Sequence, residues 1–414
     1  MSKAPTESEQ KAMNALPLAG VKVVDLTNVI AGPLASYQLA MLGAEVTKIE
    51  VPGVGDLSRK MGADSAMGAA KMGASFCAIN AGKKSVTLNL KDARGKELFK
   101  RLVSRSDVVL ENFRPGVMKK LGLDYDVLAN VNPSLIYCAV SGFGQEGPLA
   151  QRPSYDQIIQ GFCGLMSVTG DEQSAPLRAG FVVCDTLAAI SAAFAICAAL
   201  FRRGKTGQGE MIDVSMLDAS LTTLAAWPMS NFLNAGRVPH PMGNENVSSS
   251  PSGTFVTGNG LLNIVNNEQS QYLRLCDVIG LPELKTDPRF ADRDERIKRR
   301  DELKPLIERA LSKKSAVEWE RLFEEAGVPA GPILSVPEVL AHPQVQLRNV
   351  IKRFQKVDGI DKEVSVPRLG FTLKSAPPDV HSPPPMLGQD TDSVLGDIGC
   401  SMQEIQLLRE GRVV

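Results

Sequence analysis

The opening third of the chain alternates short β-branched apolar runs with longer segments whose apolar residues recur at helical spacing. The strand-like runs are VKVVDLT (21–27), AEVTKIE (44–50), KSVTLNL (84–90), DVVLENF (107–113) and LIYCAVSGF (135–143). Between them lie the helical segments AGPLASYQLAMLG (31–43) and DARGKELFKRLVSRS (92–106). Strands joined through helices form parallel sheets with right-handed crossovers. The pattern therefore predicts an α/β fold built on a Rossmann-like, doubly wound parallel sheet.

The pattern changes in the second half of the chain. Two long apolar helices are predicted over 186–203 and 217–235, and a tract rich in Ser, Pro, Gly and Asn follows at 240–260. A charged region with helical spacing then runs over 270–326. From these shifts we predict a large domain formed by residues 1–224 and 336–414, with a smaller α/β domain, residues 225–335, inserted into it.

Three segments at predicted strand ends run into Gly or Pro, at 27–33, 111–116 and 141–148. Ligands of doubly wound sheets bind beyond the carboxyl ends of the strands, although each segment can equally be an ordinary turn. A nicotinamide dehydrogenase needs a G-x-G-x-x-G turn after the first strand. The chain has NVIAGPLAS (28–36) there, with one glycine, so this sequence lacks the dinucleotide fingerprint.

Charge and composition narrow the possible partners. Lys plus Arg and Asp plus Glu both number 46, so a net charge of zero gives no bulk attraction to nucleic acid or to an anionic membrane. The longest apolar stretch, 187–201, is shorter than a membrane span needs, and the N-terminus lacks the apolar core of a signal peptide. The seven cysteines form no C-x-x-C pair. We expect a cytoplasmic protein with reduced thiols that binds neither nucleic acid nor a membrane.

The common metal and catalytic patterns are missing from the sequence. The three histidines, His240, His342 and His381, are far apart and have no second ligand at metal spacing. There is no G-x-S-x-G motif, and GKTGQG (204–209) lacks the leading glycine of a phosphate loop. We therefore predict no metal site. Two basic clusters flank predicted strand ends and are either phosphate contacts or solvated surface: Lys83, Lys84 and Lys91, and Arg114, Lys119 and Lys120.

One acidic residue stands between a short apolar run and a long apolar helix. It is Asp185, in GFVVCDTLAAISAAFAICAAL (180–200). Aspartate is a favoured helix N-cap, because its oxygen accepts a backbone N–H of the first turn. Capping is the simplest interpretation of Asp185 from the residues alone.

A series of motifs in this chain resembles those of the class III coenzyme A-transferases, the family of formyl-CoA:oxalate, carnitine and succinyl-CoA:dicarboxylate CoA-transferases. The motifs are VVDLTNVIAGPLASYQLAMLGAEVTKIE (23–50), GKKSVTLNLK (82–91), ENFRPGVMKKLGLDYDVL (111–128), YCAVSGFGQEGP (137–148), CDTLAA (184–189), GVPAGPI (327–333) and PPMLGQDTDSVL (384–395). Each fragment is weak alone, but their order from about residue 17 to the C-terminus is specific.

The resemblance implies a function and a role for Asp185. It implies an enzyme that transfers CoA from an acyl-CoA to a small carboxylic acid, with Asp185 as the nucleophile that forms an anhydride and then a thioester with CoA. A carboxylate can attack a thioester in this way without a metal or a general base. The resemblance further implies an interlocked homodimer with no cofactor beyond CoA itself as substrate. Nucleophile and helix cap are compatible roles.

The same resemblance suggests which residues contact CoA. Ile30 and Ala31 would meet the pantetheine or adenine, and Ser141, Gly142, Phe143 and Gly144 would lie near the thioester. The nucleotide end would be lined by Leu88, Asn89, Leu90, Lys91, Asn112, Phe113 and Arg114, with Lys120 at a phosphate. This chain has Val51 where some relatives place a CoA-contacting arginine. Arg59 is one possible replacement.

Two alternatives stay open on the same fold. An α-methylacyl-CoA racemase would use a His/Asp pair, but Tyr155 stands where its histidine is expected, so racemisation is disfavoured. A CoA-binding protein without catalysis is the second alternative. Formyl-CoA:oxalate enzymes carry a glycine run in the small domain, where this chain has GNENVSSSPSGTF (243–255). We therefore expect succinyl-CoA as donor and a dicarboxylate acceptor, held by Asn244, Ser248 and Ser249 of this loop.

Overall fold

The structure is a computed structural model that describes residues 15–414, and its fold is mixed α/β. Most of the N-terminal segment that lacks a signal-peptide core therefore lies outside the described residues. The strands are β1 (Lys22–Asp25), β2 (Glu45–Glu50), β3 (Lys83–Thr87), β4 (Val108–Glu111), β5 (Ile136–Ser141), β6 (Glu210–Ser215), β7 (Gly253–Val256), β8 (Leu261–Ile264), β9 (Ala330–Pro332), β10 (Ile351–Phe354) and β11 (Val364–Pro367).

Eighteen α-helices are assigned among the described residues, in four groups along the chain. The first group is α1 (Ala31–Met41), α2 (Ser65–Ala69), α3 (Ala74–Asn80), α4 (Ala93–Val103), α5 (Val117–Leu121) and α6 (Tyr125–Val131). The second is α7 (Asp156–Phe162), α8 (Val183–Thr206), α9 (Met216–Thr223) and α10 (Ser230–Ala235). The third is α11 (Gln269–Val278), α12 (Arg293–Lys298), α13 (Arg300–Leu311) and α14 (Ala316–Glu325). The last is α15 (Val336–Ala341), α16 (Pro343–Arg348), α17 (Thr391–Asp397) and α18 (Met402–Glu410).

The strands β1 to β6 form one sheet in the order β3-β2-β1-β4-β5-β6, and every neighbouring pair is parallel. This strand order is that of the doubly wound dinucleotide-binding folds. The predicted parallel α/β sheet is therefore confirmed. Its reversal of direction falls between β1 and β4, so the loops after these two strands lie on either side of the crevice in which such folds bind ligands.

Both faces of the sheet are buried, which explains why its strands read as nearly continuous apolar runs. Neighbouring residues of one strand, such as Val23 and Val24 in β1, belong to different apolar clusters because successive side chains point to opposite faces. One cluster contains α1 and α8, which pack closely through fully buried small residues such as Ala35 and Ala188. The other contains α4, where Phe99 is fully buried.

The described chain separates into two compact units. The sheet unit comprises residues 15–165, 179–227 and 348–414, and the second unit comprises residues 166–178 and 228–347. The second unit has its own antiparallel sheet, β7-β8-β9, and its own apolar cluster, which includes Phe255 and Trp319. The domain boundaries expected from the sequence stay a prediction.

The two long helices expected after residue 185 differ from their predicted extents. The first, α8, runs from Val183 to Thr206 and is longer than expected at both ends. The second is interrupted: α9 ends at Thr223, a π-helical turn at Ala225–Met229 contains Pro228, and α10 follows. Proline lacks a backbone N–H and clashes with the preceding turn, so a continuous helix over 217–235 was a wrong prediction.

Helix α8 is long and apolar enough, by length and composition alone, to cross a membrane. Its alanine-rich face packs in the core of the sheet unit. Its other face is not covered by any residue from 15 to 414: Ile190, Phe194 and Phe201 are 50%, 75% and 69% exposed. The helix is therefore buried on one face only.

A network of buried ion pairs lies below the carboxyl ends of β1, β2 and β3. Lys48 contacts Asp56 at 2.9 Å, Arg59 contacts Glu50 at 2.7 Å, and Lys83 contacts Asp25 at 3.2 Å, all with side chains at most 1% exposed. Burial alone would raise the pKa of Asp25, but the charges of Lys48 and Lys83 outweigh it and lower that pKa to about 2. One interpretation of the basic cluster that contains Lys83 was a solvated surface. Lys83 is instead a structural ion-pair partner and not a surface cation.

Candidate functional site

Asp185 lies in the first turn of α8, and its carboxylate makes no hydrogen bond with any residue in the range 15–414. The residue that caps this helix is Asp156 of α7. Its Oδ1 accepts the backbone N–H groups of Cys184 (2.8 Å) and Asp185 (3.2 Å). The interpretation of Asp185 as the helix cap is therefore wrong: a second aspartate does that work and leaves the carboxylate of Asp185 without a partner.

The surroundings of Asp185 disfavour its charged form. Partial burial, and then the nearby carboxylate of Asp156, raise the pKa of Asp185 to about 7. The positive end of the α8 dipole opposes this shift, but it contributes only about 0.3–1 kcal/mol. A carboxyl group that titrates near neutral pH, at the end of a parallel sheet, is a candidate for chemistry.

The side chain of Asp185 lines a cavity of about 220 Å³, which we call the Asp185 cavity. Its walls come from the loops after β1, β4 and β5 and from residues 150–155. The loops after β1 and β4 are joined by two hydrogen bonds of 2.8 Å: the Asn28 N–H donates to the Asn112 side chain, whose amide donates to the Asn28 carbonyl. These bonds fix the wall that faces Asp185.

A second, larger opening lies at the ends of β1, β2 and β3. It has a volume of about 680 Å³, and we call it the large groove. Apolar residues such as Leu88 and Ile49 form its floor. Asn28 and Phe113 line both openings, so the large groove and the Asp185 cavity adjoin at these residues.

Most residues implicated by the resemblance lie in one of the two openings. Those in the Asp185 cavity are Ile30, Ala31, Asn112, Phe113, Arg114, Ser141 and Gly142, and those in the large groove are Leu88, Asn89, Leu90, Lys91 and, again, Phe113. Phe143, Gly144 and Lys120 line neither opening. Phe143 instead packs edge-on against Phe162, and Lys120 lies exposed on α5.

The loop expected to hold the acceptor acid lies in the second unit, where a buried arginine shapes it. Arg296 is 2% exposed, stacks over Tyr272 and donates to the Ser250 carbonyl at 2.8 Å. Ser249 is fully buried, and its hydroxyl donates to Ser252 at 2.9 Å. The Ser249 side chain thus belongs to the interior of the loop, whereas Asn244 and Ser248 stay predicted acid contacts.

The large groove has no arginine at residue 51, and Arg59 does not replace one. Val51 lines the groove and is 57% exposed. Arg59 is fully buried, and its Nε and Nη2 donate to the two carboxylate oxygens of Glu50, each at 2.7 Å. A guanidinium committed to a bidentate, solvent-free pair cannot reach a ligand in the groove.

One cation near Asp185 was missed by the sequence reasoning. Arg152 lines the Asp185 cavity, and its guanidinium lies 5.9 Å from the ring centre of Phe143 and 5.5 Å from that of Phe162. Two aromatic rings hold the group by cation–π attraction. In the sequence it stands alone in AQRPSYD (150–156), after a Gly-Pro turn, without a pattern that marks it as functional.

Within residues 15–414, no three His, Cys, Asp or Glu side chains are grouped as metal ligands would be. The cysteines of the described chain are all unpaired, and six of the seven are buried. The polar side chains that line the Asp185 cavity are a carboxylate, amides, hydroxyls and two arginines.

Comparison with known proteins identifies the family. Residues 18–391 match CoA-transferase family III. The chain is 37% identical over 385 residues to a succinate–glutarate CoA-transferase of Agrobacterium fabrum, covering 92% of this chain and 96% of that protein. It is 41% identical over 340 residues to an acetyl-CoA:oxalate CoA-transferase of Acetobacter aceti, covering 81% and 85%. A CAIB/BAIF family structure from Brucella suis superposes with a TM-score of 0.81 at 33% identity, covering 92% and 99%.

The protein therefore belongs to CoA-transferase family III, as the motifs predicted, and is an enzyme of the CoA-transferase type. The names of these relatives describe the transfer of CoA between carboxylic acids. This agrees with the predicted class of substrates, acyl-CoA and carboxylates.

The raised pKa of Asp185 predicts a pH-dependent effect on stability. A group whose pKa is higher in the folded state than its ordinary 3.8 binds more protons when folded, so its contribution to stability falls as the pH rises from about 4 to about 7. Asp185→Asn should therefore raise the free energy of unfolding at pH 8 and leave it nearly unchanged at pH 4. Urea unfolding at both pH values measures this. A variant less stable than wild type at pH 8 would contradict the raised pKa.

Proposed function

We propose that the protein transfers CoA from a donor acyl-CoA to an acceptor acid through covalent intermediates on Asp185. The observation that carries this proposal is the carboxylate of Asp185, free of hydrogen bonds and half-buried in a cavity that adjoins a much larger groove. A structural aspartate in such a place is commonly paired with a cation or with an N–H group of the chain. An unpaired one with a raised pKa is suited to act as a nucleophile.

The reaction requires four displacements. A carboxylate oxygen of Asp185 attacks the thioester carbonyl carbon, and the C–S bond breaks. The CoA thiolate departs, and a mixed anhydride between the donor acyl group and Asp185 is formed. The thiolate attacks the aspartyl carbonyl, which releases the donor acid as its carboxylate and forms an aspartyl–CoA thioester. The acceptor carboxylate then attacks this thioester and again expels the thiolate. Attack of the thiolate on the acyl carbonyl of the new anhydride gives the new acyl-CoA and restores Asp185.

The electrostatics of Asp185 suit this sequence. A carboxylate that burial and Asp156 have destabilised is a better nucleophile than one in water, and with a pKa of about 7 a useful fraction of it is ionised at neutral pH. No proton is gained or lost by the reacting groups in any of the four steps. The site therefore needs no general base, and Asp156 acts on the reaction only through the position and charge of its neighbour.

We place CoA across the two openings. The thioester lies in the Asp185 cavity, the pantetheine passes Asn28 and Phe113, and the nucleotide lies in the large groove on Leu88, Leu90 and Lys91. Support for this arrangement is that the two openings adjoin and that only the smaller one contains Asp185. The groove is large enough for the nucleotide, since ligand sites commonly have volumes of about 300–1,000 Å³.

Asp185→Ala should abolish CoA transfer while the protein stays folded, because no other unpaired carboxylate lines the cavity among the described residues. The measurement is the formation of new CoA esters by mass spectrometry, from succinyl-CoA and a panel of carboxylic acids. Adding hydroxylamine with the donor thioester should inactivate the wild type and leave a mass change at residue 185.

The matched control is Asp126→Ala, since Asp126 is an exposed aspartate in the first turn of α6. This variant should transfer CoA at the wild-type rate. More than a few per cent of wild-type turnover in folded Asp185→Ala, or trapping at another residue, would refute the mechanism.

We propose that the acids are dicarboxylates and that Arg152 binds the carboxylate that does not react. Of the cations in the Asp185 cavity, Arg152 is the one that lies within cation–π distance of two aromatic rings, which favours one orientation of its guanidinium before the acid arrives. A planar guanidinium pairs a carboxylate through two parallel hydrogen bonds. The names of the relatives agree with this choice, since several act on succinate, glutarate or oxalate. The same pairing of Arg152 with a carboxylate that does not react favours succinyl-CoA as the donor, because its succinyl group has a free carboxylate.

Arg152→Gln should raise the KM for succinate and glutarate by about tenfold or more, because the lost interaction is a charge-assisted pair worth about 1.5–3 kcal/mol. With acetyl-CoA as donor, the KM for a monocarboxylate such as butyrate should change by less than about twofold. Initial rates over a range of acid concentrations give both values. Equal losses for both kinds of acid would exclude Arg152 as the specificity residue.

We further propose that the protein is a homodimer, as the resemblance implies. The support is the uncovered apolar face of α8, where Ile190, Phe194 and Phe201 are at least half exposed. Large apolar side chains in one row seldom stay in water on a monomer. Light scattering should give twice the 44.4 kDa of one chain, and Phe194→Asp should lower the measured mass. A wild-type mass of one chain would refute the proposal.

A further inference from the structure

The large groove has a basic wall that comes from the last helix of the described chain and the segment after it. The charged residues that line the groove are Glu50, Lys91, Arg409 and Arg412. Glu50 is neutralised by Arg59, so the remaining charge of the wall is positive. Arg409 and Arg412 lie beyond residue 391, where the match to the family ends.

Arg412 is held in place by its own backbone and by its neighbours. The N–H of Val413 bonds the Leu408 carbonyl, and the Arg412 backbone has φ +54°, which closes the end of α18 as a left-handed residue does. The Asn89 N–H donates to the Val413 carbonyl at 2.7 Å, and Val413 is fully buried. The tail is thus fixed against the loop after β3, the loop that carries Lys91.

The two arginines differ in what they already bind. Arg409 pairs with the carboxylate of Asp392. The guanidinium of Arg412, like the ammonium group of Lys91, makes no hydrogen bond or ion pair with any group in residues 15–414. Two unpaired cations on facing segments of one apolar-floored groove form an anion site without an anion of the chain to fill it.

We infer that Arg412, with Lys91, binds the 3′-phosphate of CoA; this rests on the proposed placement of CoA in the groove. The thioester must reach the Asp185 cavity, so the end of CoA nearest Asn28 and Phe113 is the pantetheine. Arg412 and Lys91 line the groove but not the Asp185 cavity. The phosphate farthest along the molecule from the thioester is the ribose 3′-phosphate, and it carries the highest charge of any single group in CoA.

The inference also accounts for residue 51. Val51 lines the same groove and supplies no charge there. Arg59 is unable to compensate because Glu50 holds it. Arg412 supplies from the C-terminal segment the cation that β2 does not provide.

The test compares CoA with 3′-dephospho-CoA on the full chain by isothermal titration calorimetry. Wild type should bind CoA at least tenfold more tightly than dephospho-CoA, the ratio expected from losing one charge-assisted contact of about 1.5 kcal/mol. Arg412→Gln should weaken the binding of CoA about tenfold and that of dephospho-CoA by less than twofold. Arg409→Gln should have a smaller effect, since Asp392 already neutralises Arg409.

Two controls keep the result interpretable. Arg353→Gln removes the same charge from β10, outside the groove wall, and should leave both affinities unchanged. Arg412→Lys keeps the charge and should retain most of the preference for CoA. Thermal unfolding of each variant establishes that it is folded.

The outcomes separate this inference from the proposed function. If wild type binds neither compound, the placement of CoA and the inference fall together. If wild type prefers CoA but Arg412→Gln keeps the full preference, or weakens both compounds equally, CoA still binds and the role of Arg412 is refuted. Equal wild-type affinity for the two compounds refutes any recognition of the 3′-phosphate.

Discussion

The ion pair between Lys48 and Asp56, sealed beneath the end of β1, is the interaction on which the geometry of the site depends. Lys48 also donates to the Thr27 carbonyl at 2.5 Å, and Asp56 accepts the Val29 N–H at 3.0 Å. Val29 has φ +69°, a conformation that a β-branched residue adopts only when its surroundings impose it. The pair therefore holds the loop after β1 in one shape, and that loop forms a wall of both the Asp185 cavity and the large groove. A buried ion pair adds little net free energy of folding, but losing one partner costs about 3–5 kcal/mol. The pair therefore matters here because it keeps the loop after β1 in one backbone conformation.

Much of the sheet unit was predictable from the sequence because local pattern decides it. The apolar runs of β1 to β5 and the intervening helices have the periods that parallel sheets require, and the missing dinucleotide glycines removed one enzyme class. Pro228 shows the limit of prediction from periodicity. The apolar spacing of the sequence continues through this residue, but the α-helix is interrupted there. The role proposed for Asp185 comes from the resemblance and not from physics, since an aspartate before an apolar helix looks like an N-cap. Only the three-dimensional contact with Asp156 separates the two roles.

The residues that sequence reasoning missed are those whose meaning depends on distant partners. Lys83 reads as one of a cluster of surface cations, yet it is buried against Asp25, which is 58 residues away. Arg152 lies beside Phe143 and Phe162, and neither spacing nor composition predicts such a contact from the sequence. Arg412 lines the groove because Val413 bonds Asn89, a contact between segments more than three hundred residues apart. Charge is easy to find in a sequence, but whether a charge is free or committed is a property of the fold.

The separation of the two openings has an energetic consequence for the proposed reaction. Contacts that a substrate makes far from the reacting atoms help catalysis when they offset the cost of desolvating and orienting those atoms. In this protein the destabilised charge of Asp185 lies in a small cavity, and the cations proposed to hold the nucleotide lie in the adjoining groove, apart from the nucleophile. The thiolate must stay close while it leaves and returns twice, so a firmly held nucleotide keeps it near the aspartyl anhydride. If Arg412 holds the nucleotide as proposed, the C-terminal segment sets how long CoA remains bound without altering the residues that react with it.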